Sequence, residues 1–499
     1  MKVYLETMGC QMNRLDSELA EGLLRAGGHQ VVADRRSAEA VVYNTCAVRR
    51  HAEEKVFSRL GADGQRKAEG KPLIVAVLGC VAQRMGQDLR RKYPQVDVVC
   101  GPGQLHRLVE LLEQAAAGRP SVALDATRVG TGAPPRGYMR GGAPVPPRAG
   151  VGRASPAEDE TAADGLEAAE VHRDPAVGKS PSQAFVRVMR GCDKFCTYCV
   201  VPFVRGPERS RPPGAIVEEV RRLVGAGRTQ ITLLGQTVNS YHYDADGNGR
   251  AVRFSDLLAL VSPVPGLRRL RFITSHPLDF SDDILQAMRD LPNVCPYVHC
   301  PAQSGSDAML KRMNRRYTRA RYDEWVDRAR AVVPGVVLSG DFIVGFPGES
   351  EDDHAASAGL LRRSGYKNSF IFKYSPRPGT VANRLYPDEV PDSVKRRRNN
   401  ELLAVQGEVG LAHHRALVGR TVEVLVEGPS PRAARAVGRA YVHAESEVPR
   451  AGMHALQLVG RTRGDHIVVF DGEPTLADQY VDVRIESATA LTLTGKLTR

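Results

Sequence analysis

No run of apolar residues in this chain of 499 is long enough to cross a bilayer, which excludes a helical membrane protein. The first residues, Met1-Lys2-Val3-Tyr4-Leu5-Glu6, lack the apolar core of a signal peptide. They read as a strand, and a cytoplasmic location is expected. An even set of cysteines is missing too. The chain has nine, and an odd count without a secretory signal argues against a disulfide framework. Metal or redox chemistry becomes the explanation for any clustered subset. Acidic residues are in deficit: 69 Lys and Arg against 57 Asp and Glu leave a net charge of +12. That excess suits either a nucleic-acid partner or an Arg-rich solvated surface.

A chain of this length calls for two to four domains. Residues 1–117 alternate apolar runs (Val3–Leu5, Val41–Tyr43, Leu73–Leu78, Val96–Val99) with helical periodicity, which predicts an open parallel α/β domain. Residues 130–183 have few large apolar side chains. Gly, Pro, Ala and Arg give way there to an acidic patch, so the stretch reads as a disordered linker. Residues 184–412 resume the alternation with six strand–helix units, predicting a partial (β/α)6 barrel plus a connecting helix. The segment 415–487, with a final strand reaching 495, reads as a small all-β barrel of the oligonucleotide-binding kind.

The segment Arg190-Gly191-Cys192-Asp193-Lys194-Phe195-Cys196-Thr197-Tyr198-Cys199 follows the first barrel strand. Three thiolates at C-x3-C-x2-C spacing can wrap one four-iron cluster and leave one iron without a protein ligand. A zinc site would want a fourth Cys or His nearby. None follows, the next cysteine being Cys295.

Cys10, Cys46 and Cys80 are scattered in sequence, yet each sits just past a predicted strand, in Met8-Gly9-Cys10, Asn44-Thr45-Cys46 and Leu78-Gly79-Cys80. Carboxyl ends of parallel strands share one edge of an open sheet, so these cysteines can converge on a second cluster. They can equally be small buried residues. Cys100 also ends a predicted strand and can be a fourth ligand or core.

The three-cysteine loop after a first barrel strand resembles the radical S-adenosylmethionine (SAM) enzymes. The runs Gly9–Asn13, Asn44–Arg49, Ala52–Leu60, Gly79–Arg84, Val200–Gly206, Leu233–Tyr241, Gln303–Asp307, Met313–Thr318 and Asp341–Glu349 resemble the methylthiotransferases, and closely their MiaB-type tRNA branch. The likeness spans nearly the whole chain except residues 130–183. It implies that Cys192, Cys196 and Cys199 hold a [4Fe–4S] cluster that binds SAM, with Tyr198 against the adenine. It implies that Cys10, Cys46 and Cys80 hold an auxiliary [4Fe–4S] cluster and Cys100 does not. The C-terminal strands resemble a TRAM domain, which binds RNA, and the basic run Lys395–Arg398 would grip phosphates. Cys300 stands where the family usually has an aliphatic residue.

The reaction so implied replaces a C–H hydrogen by a methylthio group, at C2 of an N6-isopentenyladenosine beside the tRNA anticodon. One SAM would donate the methyl and another the radical. Gly235, Gln236, Asn239, Gln303 and Ser304 are further SAM-contact candidates, although loop and capping roles are common for these types. A reductant such as flavodoxin or ferredoxin, a sulfur carrier, no membrane and a monomer complete the expectation. The alternatives are methylthiolation of threonylcarbamoyladenosine in tRNA or of a ribosomal protein, and a non-catalytic zinc RNA-binding protein.

Overall fold

The apolar runs of the first hundred residues become, in the computed structural model, four strands of one six-stranded parallel sheet, whose last strand, Ser121–Ala123, carries the domain past the expected boundary at 117. The structure describes residues 1–48, 50–125, 165–171, 173–178, 180–244, 251–434 and 456–498. The sheet is built from β1 (Lys2–Met8), β2 (Gln30–Val31), β3 (Ala40–Thr45), β4 (Ile74–Gly79), β5 (Val98–Cys100) and β6 (Ser121–Ala123). Its order is β2-β1-β3-β4-β5-β6, parallel throughout. Every residue of β3 is buried, as a near-continuous apolar run should be when helices cover both faces. Those helices are α1 (Gln11–Ala26), α2 (Arg50–Ala68), α3 (Cys80–Met85), α4 (Gln87–Lys92) and α5 (Leu108–Ala116). Met12, Leu15, Leu19 and Leu24 give α1 its buried stripe. Because β1, β3 and β4 are neighbours, their carboxyl ends lie side by side.

The expected linker divides. Its residues up to 164 lie outside the described residues. Residues 165–171 form a helix, α6. Leu166 joins the core of the N-terminal sheet domain. Glu170 pairs with Arg187, and Glu167 with Arg211 at 2.7 Å. The acidic patch is therefore not wholly linker. Part of it supplies counter-charge to buried arginines at a domain junction, which composition within the segment could not reveal.

The central strands are β7 (Gln183–Arg187), β8 (Gln230–Leu234), β9 (Arg269–Ile273), β10 (Tyr297–His299), β11 (Val337–Val344) and β12 (Asn368–Lys373). They form two parallel sheets, β9-β8-β7 and β10-β11-β12, joined by a parallel bridge between Leu270 and Val294. The result is an open six-stranded barrel. Helices α7 (Val201–Val204) and α8 (Pro213–Gly225) follow the three-cysteine loop.

A long helix, Asp392–Arg415, leads to a closed barrel of β13 (Thr421–Pro429), β14 (Leu456–Thr462), β15 (Ile467–Gly472), β16 (Tyr480–Ala488) and β17 (Thr492–Leu497). The barrel order is β13-β14-β15-β17-β16. β17 pairs with both β15 and β16, so it is integral to closure. A domain ending at residue 487 would leave the barrel open. The basic run on the long helix is also corrected. Lys395 and Arg398 are buried, Lys395 paired with Asp388 and Arg398 with Glu349 at 2.8 Å. Arg396 and Arg397 are exposed but paired with Asp392 and Glu351. The run ties the helix to its neighbours, which leaves little of its charge for phosphate. Among the described residues no helix is long and apolar enough to cross a membrane.

Candidate functional site

Cys10 is the residue before α1, Cys46 follows β3 and Cys80 opens α3. Adjacent strand ends bring the three together. The neighbouring Cys46 thiol pulls the Cys10 thiol down to about 5 and is itself driven up, while Cys10 Sγ donates to Asn13 Oδ1 at 3.3 Å. Burial raises the Cys80 thiol, and the nearby Arg205 guanidinium opposes that rise. The turn before Cys80 needs glycine. Gly79 has φ +88°, and a Cβ there would sit 2.6 Å from the Thr45 carbonyl oxygen.

Donors surround these sulfurs. Arg205 Nε donates to Cys80 Sγ at 3.3 Å, and the Val48 amide donates to Cys46 Sγ at 3.4 Å. Asn13, fully buried, accepts from the Cys10 amide and donates to Asn44 and to the Thr45 carbonyl. Donors aimed at sulfur stabilise thiolates, the form that ligates iron. This set fits a thiolate-ligated cluster.

Arg205 comes from the other domain. It follows α7, which begins just after Cys199. Val200 and Val204 pack on Ala47, Cys80 and Val81. The helical turn that follows one cysteine group thus packs against the other. Arg205 also donates to Asp16 at 2.8 Å, and Asp16 accepts from Arg187 at 3.0 Å. Arg187 pairs with Glu170, and the Arg211 beside it pairs with Glu219 at 2.7 Å. Unpaired, any of these buried charges would be costly, so the chain of pairs fixes how the domains meet.

The three-cysteine loop is held by backbone contacts. The Cys192 amide donates to the Gly206 carbonyl at 3.1 Å and the Thr197 amide to the Met313 carbonyl at 3.0 Å. Gly191 has φ +75°, and a Cβ there would collide with the Pro207 carbonyl. Arg315 Nη1 donates to Cys196 Sγ at 3.4 Å. Thr237 Oγ1 lies 3.5 Å from Cys192 Sγ. Burial pushes the Cys192 thiol up to about 11, and burial beside Cys196 and Cys192 raises Cys199 as well. Metal binding here would release protons. Among the described residues no three of His, Cys, Asp and Glu are grouped as for one metal ion.

The candidate SAM contacts separate into two kinds. Tyr198 stands edge-on to Phe346, with ring centroids 6.5 Å apart. Both polar atoms of the Gln236 amide are buried without a protein partner, as expected of a side chain awaiting a ligand. Gln303 holds a positive φ of 71°, a strained backbone at an isolated parallel bridge to Phe342. Asn239 and Ser304 already have protein partners. Asn239 exchanges two 2.8 Å hydrogen bonds with the His276 backbone, one donated and one accepted, which clamps its loop. Ser304 bonds Ser357 and the Ser306 amide. Gly235 is needed because a Cβ would sit 2.6 Å from Met189 Cγ, a packing reason. Cys100, Cys295 and Cys300 are buried in the interior.

Sequence reasoning assigned no role to Arg205, Arg315 or Asp16. Asp16 carried a signal: it is a charge on the buried stripe of α1, between Leu15 and Leu19.

Residues 2–101 match the model of Uncharacterized protein family UPF0004, and residues 186–361 match that of the Radical SAM superfamily. A Rhodopirellula baltica protein named tRNA-2-methylthio-N(6)-dimethylallyladenosine synthase is 42% identical over 497 residues, covering 99% of this chain and 95% of its own. A Bacteroides fragilis protein of the same name is 38% identical over 499 residues, covering 99% and 95%. Among solved structures, the radical S-adenosylmethionine methyltransferase TsrM from Kitasatospora setae aligns with a TM-score of 0.49 and 14% identity over 77% of each chain.

Proposed function

The chain belongs to the family of tRNA-2-methylthio-N(6)-dimethylallyladenosine synthases, and on that footing we propose that it adds a methylthio group to C2 of N6-isopentenyladenosine beside the anticodon of tRNA. Two [4Fe–4S] clusters and SAM, when bound, supply the sulfur, methyl and radical chemistry that an unactivated C–H bond requires. Cys192, Cys196 and Cys199 ligate the cluster that receives SAM. Cys10, Cys46 and Cys80 ligate the auxiliary one. Gln236 offers SAM the two polar atoms that no protein group satisfies. Arg315 and Arg205 each place a buried cation on one ligand sulfur.

The observation that carries this reading is the joining of two cysteine triads, on two different sheets, by the single turn α7. A reaction that takes its radical from one centre and its sulfur from the other needs them close together. A low-potential protein reductant, a sulfur carrier, a monomer and a cytoplasmic location accompany the proposal.

The test is anaerobic. The protein is loaded with iron and sulfide, then incubated with SAM, dithionite and isopentenylated tRNA, and the digested nucleosides are weighed by mass spectrometry. The expected product is 2-methylthio-N6-isopentenyladenosine. Deoxyadenosine without that nucleoside would keep the radical chemistry and overturn the substrate. Threonylcarbamoyl tRNA would then be the substrate to try.

A further inference from the structure

The inner face of the open barrel is mostly covered. On β7, β8 and β9, Phe185, Leu234 and Ile273 pack into the core of the N-terminal domain. Deeper in, Arg269 and Arg271 donate to the carbonyls of Arg461 and Thr462 in the C-terminal barrel. The inner face of β12 is different. Phe370 and Phe372 are 52% and 40% exposed, the only aromatics among the exposed large apolar residues described. Their rings lie nearly parallel, at 18°, with centroids 6.3 Å apart.

Register shows which face they occupy. Asp341 pairs with Phe370 and Ile343 with Phe372 in the parallel β11–β12 ladder, and paired residues share a face. The alternate residues Leu338, Phe342 and Val344 enter the helix-covered core. Phe370 and Phe372 therefore stand inside the barrel, beside Asp341. That carboxylate is held by His299 Nε2 at 3.0 Å, and His299 Nδ1 has no partner.

The wall continues to the three-cysteine loop. Ile343 and Tyr198 flank one apolar cluster with Phe346 and Tyr374. The Tyr374 ring is 5.0 Å from Phe346, and Tyr198 precedes Cys199. An adenosine reacting near that loop would have its surroundings set by this wall. Exposed aromatic surface is costly in water unless something covers it.

We propose that Phe370, Phe372 and Ile343 form the seat for the apolar N6 substituent of the target adenosine, and that Asp341 turns the seat against an anionic substituent. The inference rests on the proposed tRNA reaction and extends it to the choice between isopentenyl and threonylcarbamoyl adenosine. An isopentenyl group gains by covering the rings. A threonylcarbamoyl carboxylate meets apolar rings and a like charge, an element of rejection as well as attraction.

The test measures binding by the full, cluster-loaded chain. Three anticodon stem-loop RNAs are used, identical except that the target adenosine is unmodified, isopentenylated or threonylcarbamoylated. Their affinities are read by fluorescence anisotropy. The expected result is isopentenyl RNA bound at least about tenfold tighter than unmodified RNA, the size set by burying a few methylene-sized groups. The double variant Phe370→Ala/Phe372→Ala should bind unmodified RNA as before and lose that preference. Phe370→Leu/Phe372→Leu should keep most of it, which separates loss of the seat from loss of folding. Asp341→Asn should improve threonylcarbamoyl RNA relative to isopentenyl RNA. A preference that survives the double alanine variant overturns the proposal. So does an equal loss for modified and unmodified RNA, which would make the pair a general stacking surface. No preference in the wild type also overturns it, while the product nucleoside shows separately whether the proposed reaction stands.

Discussion

The two cysteine triads solve the same problem at different ranges. Cys192, Cys196 and Cys199 lie within eight residues of chain, and neighbouring backbone holds their loop. Cys10, Cys46 and Cys80 lie far apart in sequence and meet only because β1, β3 and β4 are neighbours in a parallel sheet. Both have a glycine at positive φ before one of their cysteines, and both have a buried arginine donating to one sulfur. The difference is ownership. Arg315 and the loop it serves belong to one domain, whereas Arg205 crosses a domain boundary to reach Cys80. A local motif can be read without a fold. A topological one exists only once the sheet and the junction have formed.

The largest expected effect breaks the pair apart. Cys196→Ala should abolish SAM cleavage, measured as deoxyadenosine formed anaerobically. Cys46→Ala should retain that cleavage and lose the methylthio nucleoside. Methylthio product from either variant would refute the division of labour.

Next in size is the crossing arginine. Arg205→Met removes one of the two cations on buried Asp16 and leaves the other, Arg187. Breaking a buried ion pair costs ~3–5 kcal/mol, and the surviving partner places this loss toward the lower end. Urea unfolding would measure it. Iron content in a background lacking Cys192, Cys196 and Cys199 would fall with it. Arg315→Met in the intact protein should spare the auxiliary iron. Equal loss at both clusters would erase the distinction between local and cross-domain support.

What the sequence made legible follows the same line. The longer strands are legible because apolar runs end where helical periodicity begins, whereas the short edge strands Gln30–Val31 and Ser121–Ala123 leave no such run. The C-x3-C-x2-C loop stood out unaided, while Cys10, Cys46 and Cys80 needed the assumption of adjacent strand ends. Residues 165–171 were missed because an acidic stretch poor in apolar residues looks unfoldable alone. Glu167 and Glu170 find their counter-charges in Arg211 and Arg187, outside the segment. Strand Leu456–Thr462 is masked in the sequence by its glycine. Gly460 interrupts the apolar alternation, yet a Cβ there would meet the Leu425 backbone of the paired strand. The run Lys395–Arg398 misled in the opposite way, since its partners Asp388, Glu349 and Glu351 are set by packing.

Glu170 gives a smaller test of the junction. Glu170→Gln keeps the shape and removes a charge beside Arg187 and Arg211. Arg187 retains Asp16, and Arg211 retains Glu167 and Glu219. Those remaining partners should hold the loss to about 1–3 kcal/mol, the range for an imperfectly satisfied buried group. If residues 165–171 were a passive linker, the substitution would change stability by no more than a surface change, within about 0.5 kcal/mol.

Asn13 is the finest probe, because it acts inside one triad without a charge. Its amide joins the Cys10 turn to Asn44 and to the carbonyl of Thr45, the residue before Cys46. Asn13→Ala would leave the Asn44 side-chain Oδ1 and the Thr45 backbone carbonyl each short of a donor in a buried setting. The cost is about 1–3 kcal/mol, by urea unfolding, and part of it would be relieved by water entering beside the sulfurs. The informative readout is again iron. The auxiliary cluster should load less completely or lose iron faster to a chelator, while SAM cleavage at the Cys192 loop holds steady. A variant destabilised with unchanged iron retention would place Asn13 in the sheet alone. Slower loading with near-native stability would place it in the turn that presents Cys10, whose thiol donates to Asn13 Oδ1 at 3.3 Å.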